Sequence, residues 1–323
     1  MRLLITGASG FLGRNALLAL PPSWEVVALY RSENSDFLTF IEEQSLVHVQ
    51  PVACDLTERV QVKQVLDRLD REFDACLALA SNTSIPGSIA RPIEDLATNA
   101  IGLLHLLQYG RIQHLVYLSS GAVYIGLEGL VSPASATTPD LPYAISKLAA
   151  EHYIRAVHRR QGRPRAATLV RFFGAYGPYE PARKLYTKLV RRFAFERDPR
   201  FTVGGDGENY IDAMYIDDAI LALLAVLDRP PAEGLRCLDL GVGSRGTVNE
   251  LVARAARTFN LEAEITHVGE TAEYIRFYID PQPFARLYNF TPTISLETGL
   301  SRLYTHLTHT ASRAGEPGAI AKV

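Results

Sequence analysis

Short apolar runs alternate with longer stretches of helical periodicity through the first half of the chain. The segments RLLITG, EVVALY, LVHVQPVACD, DACLALAS, HLVYLSS and AATLVRFF have the composition of strands. Between them lie helical patterns, among them FLGRNALLAL, VQVKQVLDRL and PYAISKLAAEHYIRAVHRR. Near-continuous apolar strands separated by helices are typical of a parallel sheet that is covered on both faces. We therefore predict an α/β fold with a doubly wound parallel sheet of the Rossmann type.

The alternation of strand and helix patterns stops after residue 171, where the loops GAYGPYEP and VGGDGENY are rich in glycine and proline. A helix, IDDAILALLAVLD, and a strand, LRCLDLG, follow, and residues 211–242 are expected to return to the sheet of the dinucleotide-binding domain, 1–171. Segments 172–210 and 243–308 are expected to form a smaller C-terminal substrate lobe over the carboxyl ends of the strands, where ligands bind in such folds. Residues 309–323 lack periodicity, which predicts a flexible tail.

Composition narrows the range of partners. The net charge is −2 and the pI is about 6.5, so no global field attracts nucleic acid or an anionic membrane. No apolar run reaches the roughly 18 residues of a membrane span, and the strand RLLIT follows the first residue directly, so we expect neither export nor a membrane span. The cysteines Cys54, Cys76 and Cys237 are scattered, which predicts neither a disulfide framework nor a metal site and favours the reducing cytoplasm.

The stretch TGASGFLG lies where the first strand ends and a helix begins. Its glycines, Gly7, Gly10 and Gly13, suit a tight turn, close approach to a pyrophosphate and tight packing of helix on strand. The helix N-terminus would offer free N–H groups to phosphates. The sequence therefore predicts a dinucleotide site whose first contacts are Gly7, Ser9, Gly10, Phe11, Leu12 and Gly13.

The end of the second strand indicates which dinucleotide binds. An acid at this place usually holds the ribose hydroxyls of NAD, but the chain has Arg31 and Ser32 there. Arg31, helped by Ser32 and Arg14, can pair with a 2′-phosphate, which favours NADP and leaves NAD possible. After the third strand, Asp55 and its neighbour Leu56 are candidates to contact the adenine. Asp55 could equally cap the helix that follows.

Tyr143 and Lys147 are four residues apart at the start of a helix, so they are neighbours on one face. A nearby ammonium favours the phenolate and can bring a phenol into the working range of a base. The preceding strand ends in Ser119 and Ser120 at the edge of the sheet where the nicotinamide is expected. A hydroxyl there can bind an oxygen that changes charge during hydride transfer.

Taken together, these motifs make the chain resemble an extended short-chain dehydrogenase/reductase of the NAD-dependent epimerase/dehydratase family, which modifies sugar nucleotides. The resemblance rests on TGASGFLG, LVYLSSGAVY, PYAISKLAAE, VRFFGAYGP, GGDGENYIDAMYIDDA and FTPTISLETGLSRL, in family order to about residue 305. It implies that Ser120 polarises the substrate oxygen and that Tyr143 donates or accepts the proton. By the same resemblance Lys147 tunes the tyrosine and holds the nicotinamide ribose.

The resemblance also implies roles outside this set. Ala80 and Ser81 would line the cofactor cleft, and Asn99 would support the site. A homodimer would form through the helices that carry Asn99 and Tyr143.

Several positions depart from the family pattern. Dehydratases of the family place an Asp-Glu pair directly after the catalytic hydroxyl, and here those positions are Gly121 and Ala122. We therefore expect no 4,6-dehydration. An asparagine that often contacts the sugar nucleotide is replaced by Gly174, and an arginine of the GDGxxxRD pattern is replaced by Ile211. Four other cations could substitute for that arginine or lie in solvent: Arg183, Lys184, Lys188 and Arg276.

Three functions follow as hypotheses. The first is an NADPH-dependent ketoreductase that acts on a sugar nucleotide or a related keto sugar. The second is a sugar-nucleotide 4-epimerase with tightly bound NAD. The third is a dinucleotide-binding protein without catalysis, in which the tyrosine or the lysine is typically lost, whereas both are present here.

Overall fold

The structure, a computed structural model, describes residues 1–31 and 35–313. Its strands, in chain order, are β1 (Arg2–Thr6), β2 (Glu25–Tyr30), β3 (Val49–Ala53), β4 (Phe73–Ala78), β5 (Ile112–Ser120), β6 (Glu128–Val131), β7 (Ala166–Phe172), β8 (Ala175–Tyr176), β9 (Arg200–Gly204), β10 (Met214–Tyr215), β11 (Gly234–Leu240), β12 (Glu264–Val268) and β13 (Arg276–Ile279). Its helices are α1 (Phe11–Ala19), α2 (Ser35–Glu43), α3 (Arg59–Leu69), α4 (Ile85–Ala90), α5 (Pro92–Leu96), α6 (Gly102–Tyr109), α7 (Pro142–Gln161), α8 (Leu185–Val190), α9 (Ile216–Asp228), α10 (Val248–Thr258), α11 (Gln282–Tyr288) and α12 (Leu296–Arg313). A π-helical turn at Ala97–Ile101 joins α5 to α6, and a 3₁₀ turn at Gly121–Tyr124 follows β5.

Seven strands form one sheet in the order β3-β2-β1-β4-β5-β7-β11, and every pair in it is parallel. The strand order reverses between β1 and β4, which is where a ligand crevice opens in such sheets. The prediction of a doubly wound parallel sheet is confirmed.

Helices cover both faces of this sheet because its central strands are apolar on both sides. Leu3 and Ile5 of β1 point to one face, where α1 contributes Leu17. Leu4 points to the other face, against Leu106 of α6. All five side chains are fully buried, which anchors the end of β1 and the turn that follows it.

The second half of the chain divides between this sheet and smaller elements. Helix α9 packs on α1, and β11 pairs with β7 at the edge of the sheet. Three short parallel pairs lie outside the sheet: β8 with β10, β9 with β12, and β6 with β13.

Some elements differ from the expectation. Helix α2 occupies a stretch from which the sequence pattern predicted no element, and it buries Phe37 and Phe40. The helical pattern before β5 is interrupted by the π-helical turn. Helix α12 runs through Arg313, so residues 309–313 of the expected tail continue a helix, and residues 314–323 lie outside the described part. Across residues 1–31 and 35–313, no helix is long and apolar enough to cross a membrane.

Candidate active site

The glycine turn after β1 is held by close backbone contacts. Gly7 has a φ of +66°, and a Cβ at this position would lie 2.7 Å from the amide nitrogen of Ala80. A Cβ on Gly13 would lie 2.6 Å from the carbonyl oxygen of Ala8. Helix α1 has Gly10 as its N-cap and no side-chain cap, so the amides of its first turn remain available to an anion. The turn therefore presents backbone to the cleft, as a bound pyrophosphate requires.

A first cavity of about 400 Å³ opens beside this turn, at the carboxyl ends of β1, β2 and β4. Arg31 lies exposed on its wall, where a 2′-phosphate would be recognised, and Ser32 lies outside the described residues. Eight of the predicted cofactor contacts line this cavity: Gly7, Ser9, Gly10, Arg31, Asp55, Leu56, Ala80 and Ser81.

Asp55 lines the first cavity but does not cap α3. That helix begins at Arg59 and has Glu58 as its N-cap. Asp55 Oδ1 instead accepts hydrogen bonds from the amide and the hydroxyl of Thr57, at 2.9 and 2.8 Å. The alternative in which Asp55 caps the helix is therefore wrong, and its contact with adenine stays a prediction.

Arg14 packs away from the position expected for it. Its Nε donates to the carbonyl oxygen of Ser9 at 3.0 Å, and its guanidinium lies 5.0 Å from the ring centre of Phe40. Arg31 is thus the cation that the structure places on the wall of the first cavity.

A second cavity, also about 400 Å³, continues from the first, and both are lined by Gly7, Gly10, Leu79 and Ser81. The remaining predicted loop contacts and the predicted catalytic set line it: Phe11, Leu12, Gly13, Ser120, Tyr143 and Lys147. The two cavities form one cleft along the edge of the sheet, of a shape that suits a dinucleotide.

Tyr143 is brought to this cleft by the start of α7, where Pro142 occupies the first turn. Its hydroxyl is hydrogen-bonded to Ser120, whose Oγ also accepts from the amide of Ala122 at 3.1 Å. Burial raises the pKa of Tyr143, and the hydrogen bond with Ser120 opposes this rise. The phenol therefore holds its proton at neutral pH.

Lys147 lies one turn further along α7 and is only 3% exposed. Its Nζ donates to the carbonyl oxygen of Leu118 at 2.6 Å and lies 4.8 Å from the ring centre of Tyr117. Burial lowers the pKa of Lys147 to about 7, although Glu151 and Asp95 oppose the change. The expected lowering of the Tyr143 pKa is not found: removal of water from the phenol raises this pKa, and the opposing effect comes from the hydrogen bond with Ser120.

Asn99 lies behind the cleft wall, in the π-helical turn, and is 1% exposed. Its Oδ1 accepts from Ser81 Oγ at 2.9 Å and from the amide of Asn82 at 2.7 Å. The buried carboxylate of Asp95 accepts in turn from Asn99, from Asn82 and from the hydroxyl of Ser146. Asn99 thus holds the wall in place and does not itself line either cavity. Asp95 and Ser146 are not among the site residues predicted from the sequence.

The model of the family described as NAD dependent epimerase/dehydratase matches residues 3–236. The chain belongs to this family. It is therefore an enzyme of the extended short-chain dehydrogenase/reductase type, and its cofactor is a nicotinamide adenine dinucleotide, for which the glycine turn and the continuous cleft are fitted.

Relatives and solved structures match over almost the whole chain. An uncharacterized UDP-glucose epimerase of Bacillus subtilis is 25% identical, with 95% of this chain and 98% of the relative covered. A dTDP-glucose 4,6-dehydratase of Mycolicibacterium smegmatis is 27% identical, with 93% and 91% covered. The crystal structure of a UDP-glucuronic acid 4-epimerase from Bacillus cereus, in complex with UDP-glucuronic acid and NAD, has a TM-score of 0.83 at 22% identity and covers 96% and 100%. At this identity the structural likeness shows the fold.

The cleft of this family member has a crowded position after Ser120. A Cβ on Gly121 would lie 3.1 Å from the ring of Phe173, and Gly121 is buried. A carboxylate side chain therefore has no room there unless Phe173 moves.

Two ionisable groups lie at the far end of the second cavity. Glu180 was not predicted from the sequence, and Lys184 was one of four cations whose role stayed open. Glu180 lines the cavity, and its Oε2 accepts from the amide and the hydroxyl of Thr187 at 3.0 and 2.7 Å. Burial raises the pKa of Glu180 to about 7. Lys184 lines the same cavity, whereas Arg276 stacks on Tyr274 and the side chains of Arg183 and Lys188 are exposed.

Proposed function

We propose that the enzyme is a sugar-nucleotide 4-epimerase that works with NAD. The observation that carries this proposal is the pairing of Gly121 with Phe173 directly after Ser120. Gly121 and Ala122 stand where dehydratases of the family have the acidic pair that expulsion of water needs, and the ring of Phe173 crowds the first of these positions. Epimerisation and ketone reduction are the reactions that the remaining groups can support. The likeness to epimerases over nearly the full chain favours the former.

In this proposal the proton is handled by Tyr143 and Ser120. Their hydroxyls are hydrogen-bonded to each other and line the cavity, so both can contact one substrate oxygen. Tyr143, in the fraction of molecules in which it is ionised, takes the proton of the sugar hydroxyl as the carbon is oxidised and returns it when the carbon is reduced. Lys147, where it is protonated, stabilises the phenolate. The nicotinamide, when bound, supplies the hydride acceptor and donor.

A second candidate, an NADPH-dependent ketoreductase acting on a keto sugar, is favoured by one observation. Arg31 stands on the wall of the first cavity in place of an acid, where it suits a 2′-phosphate. A protein that binds the dinucleotide without catalysis is disfavoured, since Ser120, Tyr143 and Lys147 all line the same cavity.

The experiment separates these functions in one preparation. The cofactor released from the purified, denatured protein is identified, and the native protein is incubated with UDP- and dTDP-hexoses while the products are followed by NMR. Formation of the C4 epimer without net change in nicotinamide absorbance supports the epimerase. Stoichiometric consumption of NADPH with a 4-keto sugar nucleotide supports the reductase, and neither reaction at any substrate would refute both. Tyr143→Phe is the control.

We further propose that the enzyme is a homodimer joined through the helices around α7. An exposed apolar face runs over α4, α5, the π-helical turn and α7, which pack on one another. It consists of Ile89, Ile93, Leu96, Ile101, Ile145 and Tyr153. Ile93 is 83% exposed, which is unusual for a side chain of its size unless a partner covers it. Sedimentation velocity should give a dimer for the natural protein and a monomer for Ile93→Glu, and a natural monomer would refute this proposal.

A further inference from the structure

A buried ion pair lies directly behind the candidate active site. Glu151 is fully buried, and its two oxygens accept from Nε and Nη2 of Arg171 at 3.0 and 2.9 Å. Arg171 is itself 3% exposed. Two charges removed from water in this way stabilise a fold less than apolar packing would, so a pair of this kind calls for a functional reason.

The carboxyl end of β5 and helix α7 are joined at three consecutive strand residues. Ser120 binds Tyr143, the carbonyl oxygen of Leu118 accepts from Lys147, and Ser119 Oγ donates to Glu151 Oε1 at 2.6 Å. The helix residues of these contacts are spaced four apart, so they form one stripe on α7. Glu151 is the inner end of this stripe.

Arg171 extends the same arrangement to the other side of Ser120. Its Nη1 donates to the hydroxyl of Tyr124, the last residue of the 3₁₀ turn that follows Ser120, at 2.9 Å. That hydroxyl donates to Asp239 at 2.7 Å. Ser120 is therefore held from both sides, through Glu151 before it and Tyr124 after it.

We propose that Glu151, fixed by Arg171, is a positioning residue that holds the end of β5 so that Ser120 lies against Tyr143, and whose carboxylate, one turn along α7 from Lys147, favours the ammonium form of that lysine. It touches neither substrate nor cofactor, and its action passes through the end of β5 and through its charge. The turnover measurements below rest on the proposed function, whereas the titration of Lys147 does not.

The charge argument depends on every ionisable group near the two side chains. Those that face Glu151 from β5, α7, β7 and β11 are Tyr117, Lys147, Arg155, Arg171, Cys237 and Asp239. Those that face Lys147 from β5, α5 and α7 are Tyr117, Asp95 and Glu151. Burial lowers the pKa of Lys147 and the two carboxylates oppose this, so loss of the Glu151 charge should lower it further.

The test compares a substitution of Glu151 with a substitution of Arg155, a second cation that contacts it. Glu151→Gln keeps an oxygen for Ser119 but removes the charge, whereas Arg155→Gln removes a cation that contacts Glu151 at 3.1 Å from the partly exposed side. Lys147 is titrated by NMR in the cofactor-free protein with ¹³C-labelled lysine. The chain has five lysines, Lys63, Lys147, Lys184, Lys188 and Lys322, and Lys147→Met identifies the signal.

We expect the Lys147 midpoint to fall by about one pH unit or more in Glu151→Gln, and the alkaline limb of kcat/KM to move with it. In Arg155→Gln the midpoint should stay within about 0.3 units. Ser119→Ala should lower kcat about 3- to 10-fold without moving the limb, because it removes placement and leaves the charge. If Glu151→Gln does not fold, Glu151→Gln/Arg171→Met removes the pair together and should show a smaller shift in the same direction.

A folded Glu151→Gln protein with an unchanged Lys147 midpoint, or equal shifts in Arg155→Gln, would overturn the proposal. If the Lys147 midpoint shifts but the natural protein neither epimerises nor reduces any sugar nucleotide, the role of Glu151 is supported and only the proposed function is refuted.

Discussion

Glu180 makes the stability of the protein depend on pH in a way that one substitution can reveal. Its pKa is about 7 in the folded protein against an ordinary value of 4.5, because burial disfavours the carboxylate. The unfolded chain ionises first, so the folded state loses stability as pH rises from 4.5 through 7. The full difference corresponds to about 3 kcal/mol, and we expect half, about 1.5 kcal/mol, since the side chain is only partly buried.

Glu180→Gln keeps an oxygen for Thr187 and removes the ionisation. The substituted protein should match the natural one near pH 4.5 and exceed it by about 1.5 kcal/mol at pH 8. Urea unfolding at four pH values between 4.5 and 8 measures this difference, with the exposed Glu262→Gln as the matched control that should show a flat difference. A difference for Glu180→Gln that stays constant across this range would show that the carboxyl ionises equally in both states, and the argument would fail.

Three further substitutions probe the cleft. Gly13→Ala should weaken dinucleotide binding at least 100-fold by calorimetry, because its Cβ would lie 2.6 Å from the carbonyl oxygen of Ala8. Gly204→Ala is the control, since its Cβ would meet open space and should leave the affinity unchanged. Equal affinities of the two variants would contradict the turn geometry. Tyr143→Phe should lower kcat about 10²- to 10⁴-fold with the dinucleotide Kd within about 3-fold, and unchanged turnover would remove the phenol from the reaction. Asp95→Asn should destabilise the fold by about 1–3 kcal/mol in urea, since an amide NH₂ would replace one of the oxygens that accept buried hydrogen bonds; a smaller effect would mean that the network rearranges.

The parts of the fold that the sequence predicted are those with a local signal. The strands of the sheet are continuous apolar runs, and the glycine turn is a local spacing, so both follow from the order of residues. Helix α2 had a usable signal as well, because Phe37, Phe40 and Ile41 follow the spacing of one helix face. The polar residues between them obscured it.

The buried polar groups could not be predicted in the same way. Asp95 stands in the short helix PIEDL, where nothing marks it as buried, and its partners lie elsewhere in the chain, Ser146 being 51 residues away. Glu180 lies in a loop, and only the packing of that loop against α8 through Thr187 makes its carboxyl a cleft group. Spacing along the chain carries no information about such distant contacts, and the pKa of Lys147 depends on them as well.

The contact between Gly121 and Phe173 connects a departure in sequence with a limit on chemistry. The glycine alone shows that a carboxylate is absent, and a single substitution could restore one. The ring at 3.1 Å from the missing Cβ means that an acid placed there must also displace Phe173, whose ring lies 6.0 Å from that of Phe277. An acid at position 121 needs the ring of Phe173 to shift by a few tenths of an ångström, so we expect a Gly121→Asp/Ala122→Glu variant to form no 4-keto-6-deoxy product unless Phe173 is also made smaller. Product from the first variant alone, detected by NMR, would show that the ring yields and that crowding does not exclude the reaction.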